Sequence, residues 1–460
     1  MLGKGSVYTL GTALQLFAAA LAIPVITRLL GSAEFGAVAL AMAVQLMLTG
    51  LATLGLPVAI LRLFFDHERT ADGAATARSL IVSAALIAAA ILFPILLTGL
   101  LWAPALSPGN AESVLLGVFL ALPAGVVGAC LALLRAQERP RPFIVITLLA
   151  STGAQLLGIG ALLIDRHPFA YLIGVAIAYL SAAIVALRLT DTIGSPAAHR
   201  ALLEPALRYG IPTIPNTISV TVLAVGDRIV IQAISGSSAV GKYQIANAFG
   251  TLAVGFLVGL QNAWIPITFG ASEERRWATL AEIAGLVTRL AALGAGVLAL
   301  VALPVLKIVV PADYDPGHLA DVASVAVLTS LPVVAFIAHG QVLLWTKHTK
   351  PLIVISPVAA ALNLVLVAVL LPPFGLIGAA AATVLAVLAQ AAMTRRAAAK
   401  QAEVPWHWGR DAVSYAIAAA LVAIALVLPS SAWAIALRVA ISVIGAATLL
   451  IVVRREFRIT

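Results

Sequence analysis

Arg141-Pro142-Phe143-Ile144-Val145-Ile146-Thr147 returns, about 209 residues later, as Lys350-Pro351-Leu352-Ile353-Val354-Ile355-Ser356. Two further echoes keep nearly that offset. Gly31-Ser32-Ala33, with Gly36 and Ala41, returns as Gly236-Ser237-Ser238, with Gly241 and Ala246, about 205 residues on. Leu172-Ile173-Gly174, with Ala176, returns as Leu376-Ile377-Gly378, with Ala380, about 204 on. Short apolar words repeat by chance, but three in the same order at a shared offset point to two structurally equivalent halves. In a hydrophobic chain, a duplicated helical bundle is the layout of a transporter, with its site at the interface of the halves.

The chain is that hydrophobic. Of its 460 residues 62% are apolar and only 10% charged, against about 25% charged in a soluble domain. Too little polar surface remains to face water, so the sequence reads as a polytopic membrane protein. About fourteen apolar runs are each long enough to cross a hydrocarbon core of about 30 Å. The first two fall at 6–30 and 35–60, the seventh to ninth at 208–234, 239–268 and 284–310, and the last two at 411–429 and 432–453. A transmembrane β-barrel would need period-two alternation; the run from Leu80 to Ile87 shows none. The expected fold class is therefore an all-α polytopic membrane protein. It has two parallel six-helix repeats plus two extra C-terminal helices. No small-residue cleavage site follows a short apolar core near the N-terminus, so the first span is expected to be retained. Cys130, the sole cysteine, excludes an intrachain disulfide and a cysteine-based metal cluster.

Net charge is +9. Topology accounts for it better than nucleic acid does. With the N-terminus inside, 21 of the 28 basic residues fall in cytoplasmic segments, among them Arg78, Arg135, Arg200, Lys350, Arg395 and Lys400. The opposite loops hold Glu112, Asp313 and Asp315. This bias predicts both termini cytoplasmic. An even number of spans separates equivalent points, so the two halves insert in the same orientation. The expected organisation is a six-helix bundle over 1–190, a cytoplasmic linker over 191–207, a second bundle over 208–396 and two additional spans over 397–460. No polar segment exceeds about 20 residues, so no extramembrane domain is expected.

Charge inside a span is the strongest pointer to a site. Asp227-Arg228 lies within the seventh run, where each residue costs roughly 2.5–3.5 kcal/mol to insert. Such residues line a cavity or pair with each other. One reading makes Arg228 a phosphate ligand tuned by Asp227; the other makes them a structural ion pair, or Arg228 an interfacial anchor. Arg28 closes the first span and carries the same two readings. Arg62 and Arg289 read more readily as solvated or snorkelling charges. Gln15, Gln45, Asn216 and Asn247, with Gln232, Gln244, Gln261 and Asn262, recur at membrane depth in spans 1, 2, 7 and 8. Each alone fits an interhelical hydrogen bond; together they favour a wet cavity. Pro24, Pro57, Pro212, Pro215 and Pro266 are expected to break those same spans. Trp406, His407 and Trp408 flank the thirteenth run and read as an aromatic interfacial anchor. The histidines lack metal-ligand spacing, so no metal is expected. No phosphate-binding Gly-Lys-Ser/Thr loop, nucleophile elbow or paired carboxylates are visible, so neither a cofactor nor enzymatic activity is expected.

The stretch from Tyr8 through Pro24-Val25-Ile26-Thr27-Arg28-Leu29-Leu30-Gly31-Ser32-Ala33-Glu34-Phe35-Gly36 resembles the opening of the polysaccharide (O-antigen type) flippases. These belong to the multidrug/oligosaccharidyl-lipid/polysaccharide (MOP) exporter superfamily. Asp227-Arg228 with Gly241-Lys242-Tyr243 and Ala246 is similar to the family's span 7–8 junction. Val310-Pro311-Ala312-Asp313-Tyr314 is similar to its outer loop before span 10. Asn363, Pro372, Gly375 and Gly378-Ala379-Ala380 are similar to its span 11–12 stretch. Phe35, where the family more often has Tyr, and Lys242 depart from the pattern and leave the substrate open. The resemblance covers about residues 1–396. It implies translocation of a polyprenyl-diphosphate-linked oligosaccharide across the cytoplasmic membrane by alternating access. The implied partners are that lipid-linked substrate, membrane lipids, a coupling ion (proton or sodium) and other polysaccharide assembly proteins, with no nucleic acid. Arg28 and Arg228 would supply cations to the diphosphate, and Asp227, Gln15, Gln45, Asn216 and Asn247 would complete the site. A lipid II flippase of the same superfamily and a multidrug cation antiporter are the alternatives. A drug antiporter needs an acidic cavity, and the second half offers mainly Asp227. A membrane glycosyltransferase would need a large outer loop, which is missing.

Overall fold

In lipid, a backbone must satisfy its own hydrogen bonds, and a helix does so within one segment. The computed structural model describes Ala18, residues 21–68 and residues 73–456, and among these there is no strand. Helix α1 is described over 21–29. It is followed by α2 (Ser32–Ala52), α3 (Leu56–Glu68), α4 (Gly73–Leu97), α5 (Gly99–Leu106) and α6 (Ala111–Ala136). Then come α7 (Pro140–Leu148), α8 (Ala154–Leu162), α9 (Pro168–Leu189), α10 (Arg200–Gly210) and α11 (Ile214–Val225). The remainder is α12 (Asp227–Gly270), α13 (Glu273–Val309), α14 (Pro316–Ala326), α15 (Ser330–Trp345), α16 (Lys350–Ala398), α17 (Trp408–Val427) and α18 (Ala432–Glu456).

Eleven stretches of described helix are long and apolar enough to cross a membrane. Two of them are bent by a glycine with positive φ, Gly236 (79°) in α12 and Gly375 (59°) in α16, each of which divides a long helix into two crossing segments. With α1 this makes about fourteen spans, the expected all-α polytopic architecture. Gly236 and Gly375 hold backbone angles that an L side chain rarely adopts, which is why each bend falls at a glycine.

By internal contacts the chain forms two compact units, Met1–Gly241 and Lys242–Thr460. This boundary lies inside α12, not in the 191–207 segment. Residues 200–207 are themselves helical, and Leu202, Leu203 and Leu207 of α10 pack on the core of the first unit. That core holds Leu56, Ile60, Leu80, Ile81, Leu133, Leu134 and Ile146, all fully buried. A second cluster joins Leu40, Val44, Leu92, Val114 and Val118, with Ile229 against it. Helices cross closely where small residues let backbones meet. A methyl on Gly117 of α6 would overlap the Ala41 carbonyl of α2. In the second unit, α17 and α18 pack on α13, with Gly296 under Leu421 and Gly445 under Val297. The Tyr415 hydroxyl donates to the Leu331 carbonyl at 3.1 Å, and Lys307 donates to the Ser430 carbonyl at 3.1 Å.

Pro24 lies inside α1, which stays helical over 21–29, and Pro57, Pro212 and Pro215 stand at helix starts or in a turn. Pro57 and Pro215 each stand in the first turn of a new helix, α3 and α11, where a missing N–H costs nothing. The break before α3 is made by Leu54 (φ 46°) and Gly55 (φ 71°), and Pro212 sits in a 3-10 turn before α11. The side chain of Pro266 lies outside the described residues. A π turn, Leu149–Gly153, joins α7 to α8 within one span. The ninth span begins earlier than expected: α13 starts at Glu273, so Arg275 and Arg276 belong to its first turn.

Candidate functional site

The residues of the three sequence echoes fall on the helices as follows. Pro142 and Pro351 stand in the first turn of α7 and α16 respectively. A methyl on Gly174 would overlap the Leu157 carbonyl, and one on Gly378 the Leu370 carbonyl, in both cases on the preceding helical segment. The third pair of motifs meets directly. A methyl on Gly36 would overlap the Ser237 carbonyl, and one on Gly241 would overlap the Ser32 carbonyl. Those two contacts exchange under the offset of about 205 residues, as contacts across a two-fold do. The Ser32 and Ser238 hydroxyls are 2.7 Å apart and close the seam with a hydrogen bond. Further along, α2 continues against α11: Gly50 faces Thr217 and Thr221. At the far end a methyl on Gly210 would stand 2.7 Å from the Leu54 carbonyl oxygen.

Asp227 and Arg228 sit just beyond this α2–α11 contact. Asp227 opens α12, where a helix N-terminus favours negative charge. Neighbours in sequence rarely face each other on a helix, yet here the guanidinium folds back. Arg228 Nη1 donates to Asp227 Oδ1 at 2.9 Å and to the Ala224 carbonyl, at the end of α11, at 2.7 Å. The pair is buried, 1% exposed at Asp227 and 5% at Arg228. One turn on, Gln232 is buried, and its Oε1 has no hydrogen-bond partner among the described residues. An unsatisfied buried acceptor costs about 1–3 kcal/mol.

The other expected site residues are dispersed. Gln45 is buried on α2, and its Nε2 donates to Thr49 Oγ1 at 3.2 Å. Asn216 is exposed on α11. Arg28 is exposed, with Nη1 on the Pro24 carbonyl at 2.9 Å. Asn247 is half-buried in the second unit. Gln15 and the Asn262 side chain lie outside the described residues. Of the seven, Asp227 and Arg228 are the two shown in direct contact. Arg62 lies over the Tyr209 ring at 4.4 Å, tying α3 to α10, and Arg289 donates to the Gly285 carbonyl at 3.3 Å.

Sequence reasoning missed Thr383, and it noted Asn363 only as part of the resemblance, with no site role. Asn363 is fully buried; its Nδ2 donates to Thr383 Oγ1 at 3.1 Å, and its Oδ1 has no partner among the described residues. Their spacing of about five and a half helical turns crosses the Gly375 bend, so no helical period links them. Among the described residues no group of three or more His, Cys, Asp or Glu could hold a metal ion.

A family model for polysaccharide biosynthesis proteins matches residues 1–271, well over half of the chain. The chain belongs to the polysaccharide biosynthesis protein family. Among curated proteins no relative matches. Solved structures resemble this family member in fold at low identity. The lipid II flippase MurJ, in an inward closed conformation, is 13% identical with a TM-score of 0.74, over 99% of this chain and 100% of that one. An inward-facing multidrug resistance transporter of the MATE family is 15% identical with a TM-score of 0.70, over 84% and 94%. A MOP-superfamily transporter from Pyrococcus furiosus, described by the reverse polarity of its binding pocket, is 14% identical with a TM-score of 0.63, over 86% and 94%. The family member thus carries the MOP-superfamily transporter fold in a multi-pass membrane protein.

Proposed function

We propose that the protein is a flippase that moves a polyprenyl-diphosphate-linked oligosaccharide from the inner to the outer leaflet of the cytoplasmic membrane. Both termini face the cytoplasm. The observation that carries this reading is membership of the polysaccharide biosynthesis family over residues 1–271. The chemistry of the candidate site agrees with it. A sugar diphosphate needs cations and hydrogen-bonding groups away from lipid; Arg228 is a buried cation, and one helical turn on in sequence the buried Gln232 oxygen has no partner among the described residues. In the resting arrangement Asp227 neutralises Arg228. The diphosphate would take over that guanidinium, with Arg28, Gln45, Asn216, Asn247 and Gln15 completing the path.

The halves 1–190 and 208–396 act as two equivalent bundles that rock against each other. The reciprocal Gly36/Ser237 and Gly241/Ser32 contacts support that equivalence. A proton or sodium gradient supplies the energy, and the moved glycan passes to other assembly proteins. The likeness to MurJ over 99% of the chain favours one second reading, a lipid II substrate, which presents the same diphosphate and a different sugar. A reconstituted flipping assay with lipid-linked oligosaccharide and lipid II side by side tests both. Movement of lipid II alone would select the second reading, and movement of neither would reject both.

A further inference from the structure

The second unit contains a built cavity that the translocation path does not use. It measures about 230 Å³ and is lined by His339, Arg395, Glu403, Trp406 and Trp408. The Trp406 ring lies 4.6 Å from that of His339, and the Trp408 ring 6.2 Å from it, nearly parallel at 25°. Arg395 is stacked over Trp408 at 3.9 Å, which holds its guanidinium in place by a cation–π contact. The interfacial-anchor reading of Trp406 and Trp408 is thus incomplete, because both rings turn in to a side chain of α15.

His339 is the unexplained member. It is 4% exposed, and its Nδ1 shares a hydrogen bond of 2.6 Å with the Ala335 carbonyl. A carbonyl accepts, so Nδ1 carries the proton, and the neutral ring leaves Nε2 as an acceptor. Nε2 is buried without a partner among the described residues. The cavity therefore offers a flat aromatic wall, a charged acceptor at Glu403 and a fork of donors at Arg395, with the His339 acceptor buried behind the Trp406 ring.

We propose that this cavity binds one pyranose ring of a sugar. A pyranose has an apolar C–H face to lie on an indole. Its hydroxyls donate, to His339 Nε2 and Glu403, and accept, from Arg395. A bare phosphate would meet Glu403 with like charge, and a quaternary ammonium would meet Arg395 with like charge. The Trp406 indole turns aside to admit the ring to Nε2. The cavity lies where α16 ends, beside Arg396 and Lys400. It rests on the proposed orientation only for the side from which the sugar arrives, the cytoplasm. The sugar can come from the head of a lipid-linked glycan or from a soluble sugar or nucleotide sugar.

The test is saturation-transfer NMR on the purified full-length protein in phosphatidylethanolamine/phosphatidylglycerol nanodiscs. The probes are N-acetylglucosamine, glucose and galactose, with mannitol and inorganic diphosphate as comparators. At least one of the three pyranoses receives saturation with millimolar affinity, and acyclic mannitol and diphosphate do not. His339→Phe, which keeps the ring and removes the acceptor, weakens binding about tenfold, as does Glu403→Ala at an exposed position with little risk to folding. Trp433→Ala, at an exposed indole elsewhere, leaves it unchanged. A polyprenyl-diphosphate hexose added to the nanodisc displaces the free sugar if the lipid-linked glycan is the source. If it does not, the source is soluble, and either result keeps the cavity a sugar site. Absence of saturation for all three pyranoses, binding untouched by both variants, or diphosphate binding in their place overturns the proposal. No transport is read, so a failed flipping assay and a failed sugar site are separate results.

Discussion

Replacing Gly36 or Gly241 with alanine should pry open the α2–α12 seam. A methyl carbon and a carbonyl oxygen rest about 3.3 Å apart at closest. A methyl on either glycine would overlap a serine carbonyl, and would also stand 3.0 Å (from Gly36) or 2.9 Å (from Gly241) from the opposing glycine nitrogen. Backbone, not a flexible side-chain end, fills the space, so the helices themselves must part by about an ångström. Overpacking of this kind costs about 1–3 kcal/mol, and about 1.4 kcal/mol is tenfold in an equilibrium. The double variant should cost less than twice a single one, because both methyls widen one gap. The assay is disulfide formation between Ser32→Cys and Ser238→Cys in a Cys130→Ala background. The two hydroxyls are 2.7 Å apart, and a small rotation brings sulfurs to the bonding distance of about 2.05 Å. The parent pair should cross-link readily under mild oxidation, with Gly36→Ala and Gly241→Ala each slowing it about tenfold. Gly128→Ala, where an added methyl meets nothing within 4 Å, should leave the rate unchanged. Cross-linking at the parent rate in both seam variants would refute the close approach.

Removing one partner of the buried Asp227–Arg228 pair leaves an uncompensated charge, at a cost of about 3–5 kcal/mol. Arg228→Ala and Asp227→Asn should each lower the amount of folded protein, measured by size-exclusion fluorescence, and the joint Asp227→Asn/Arg228→Gln variant should recover it. If the joint variant regains protein but not transport, Arg228 acts on substrate; if it regains both, the pair is structural. Maleimide labelling of cysteines placed after Arg78 and Lys400 should come from the cytoplasm, and after Asn110 and Asp315 from outside; reversal at two of these sites would sink the topology. Cys130, fully buried, should resist maleimide until the protein is denatured.

The spans were legible because lipid imposes one requirement, a long apolar run, that composition meets directly. The Gly31–Gly36 and Gly236–Gly241 echo was legible as a repeat, but its self-contact was not: offset says which residues are equivalent, not which ones touch. Asp227-Arg228 stood out through insertion cost alone. Its partner was the adjacent residue, a geometry that α12's start at Asp227 makes available and helical periodicity disfavours. Pro57 and Pro215 misled, since proline reads as a break and here begins a helix. The break itself fell to Leu54 and Gly55. His339 and Trp406 are 67 positions apart in sequence, with α16 between them, so no local pattern could join them.

The most direct test of the central claim is flipping in proteoliposomes that contain the purified protein and a fluorescent polyprenyl-diphosphate oligosaccharide, read by quencher access from one side. The account predicts that wild-type protein accelerates exchange between leaflets. Oxidation of the Ser32→Cys/Ser238→Cys pair should stop it and reduction restore it. Exchange at the rate of protein-free vesicles, or exchange that persists in full with the seam locked by a disulfide, would contradict it.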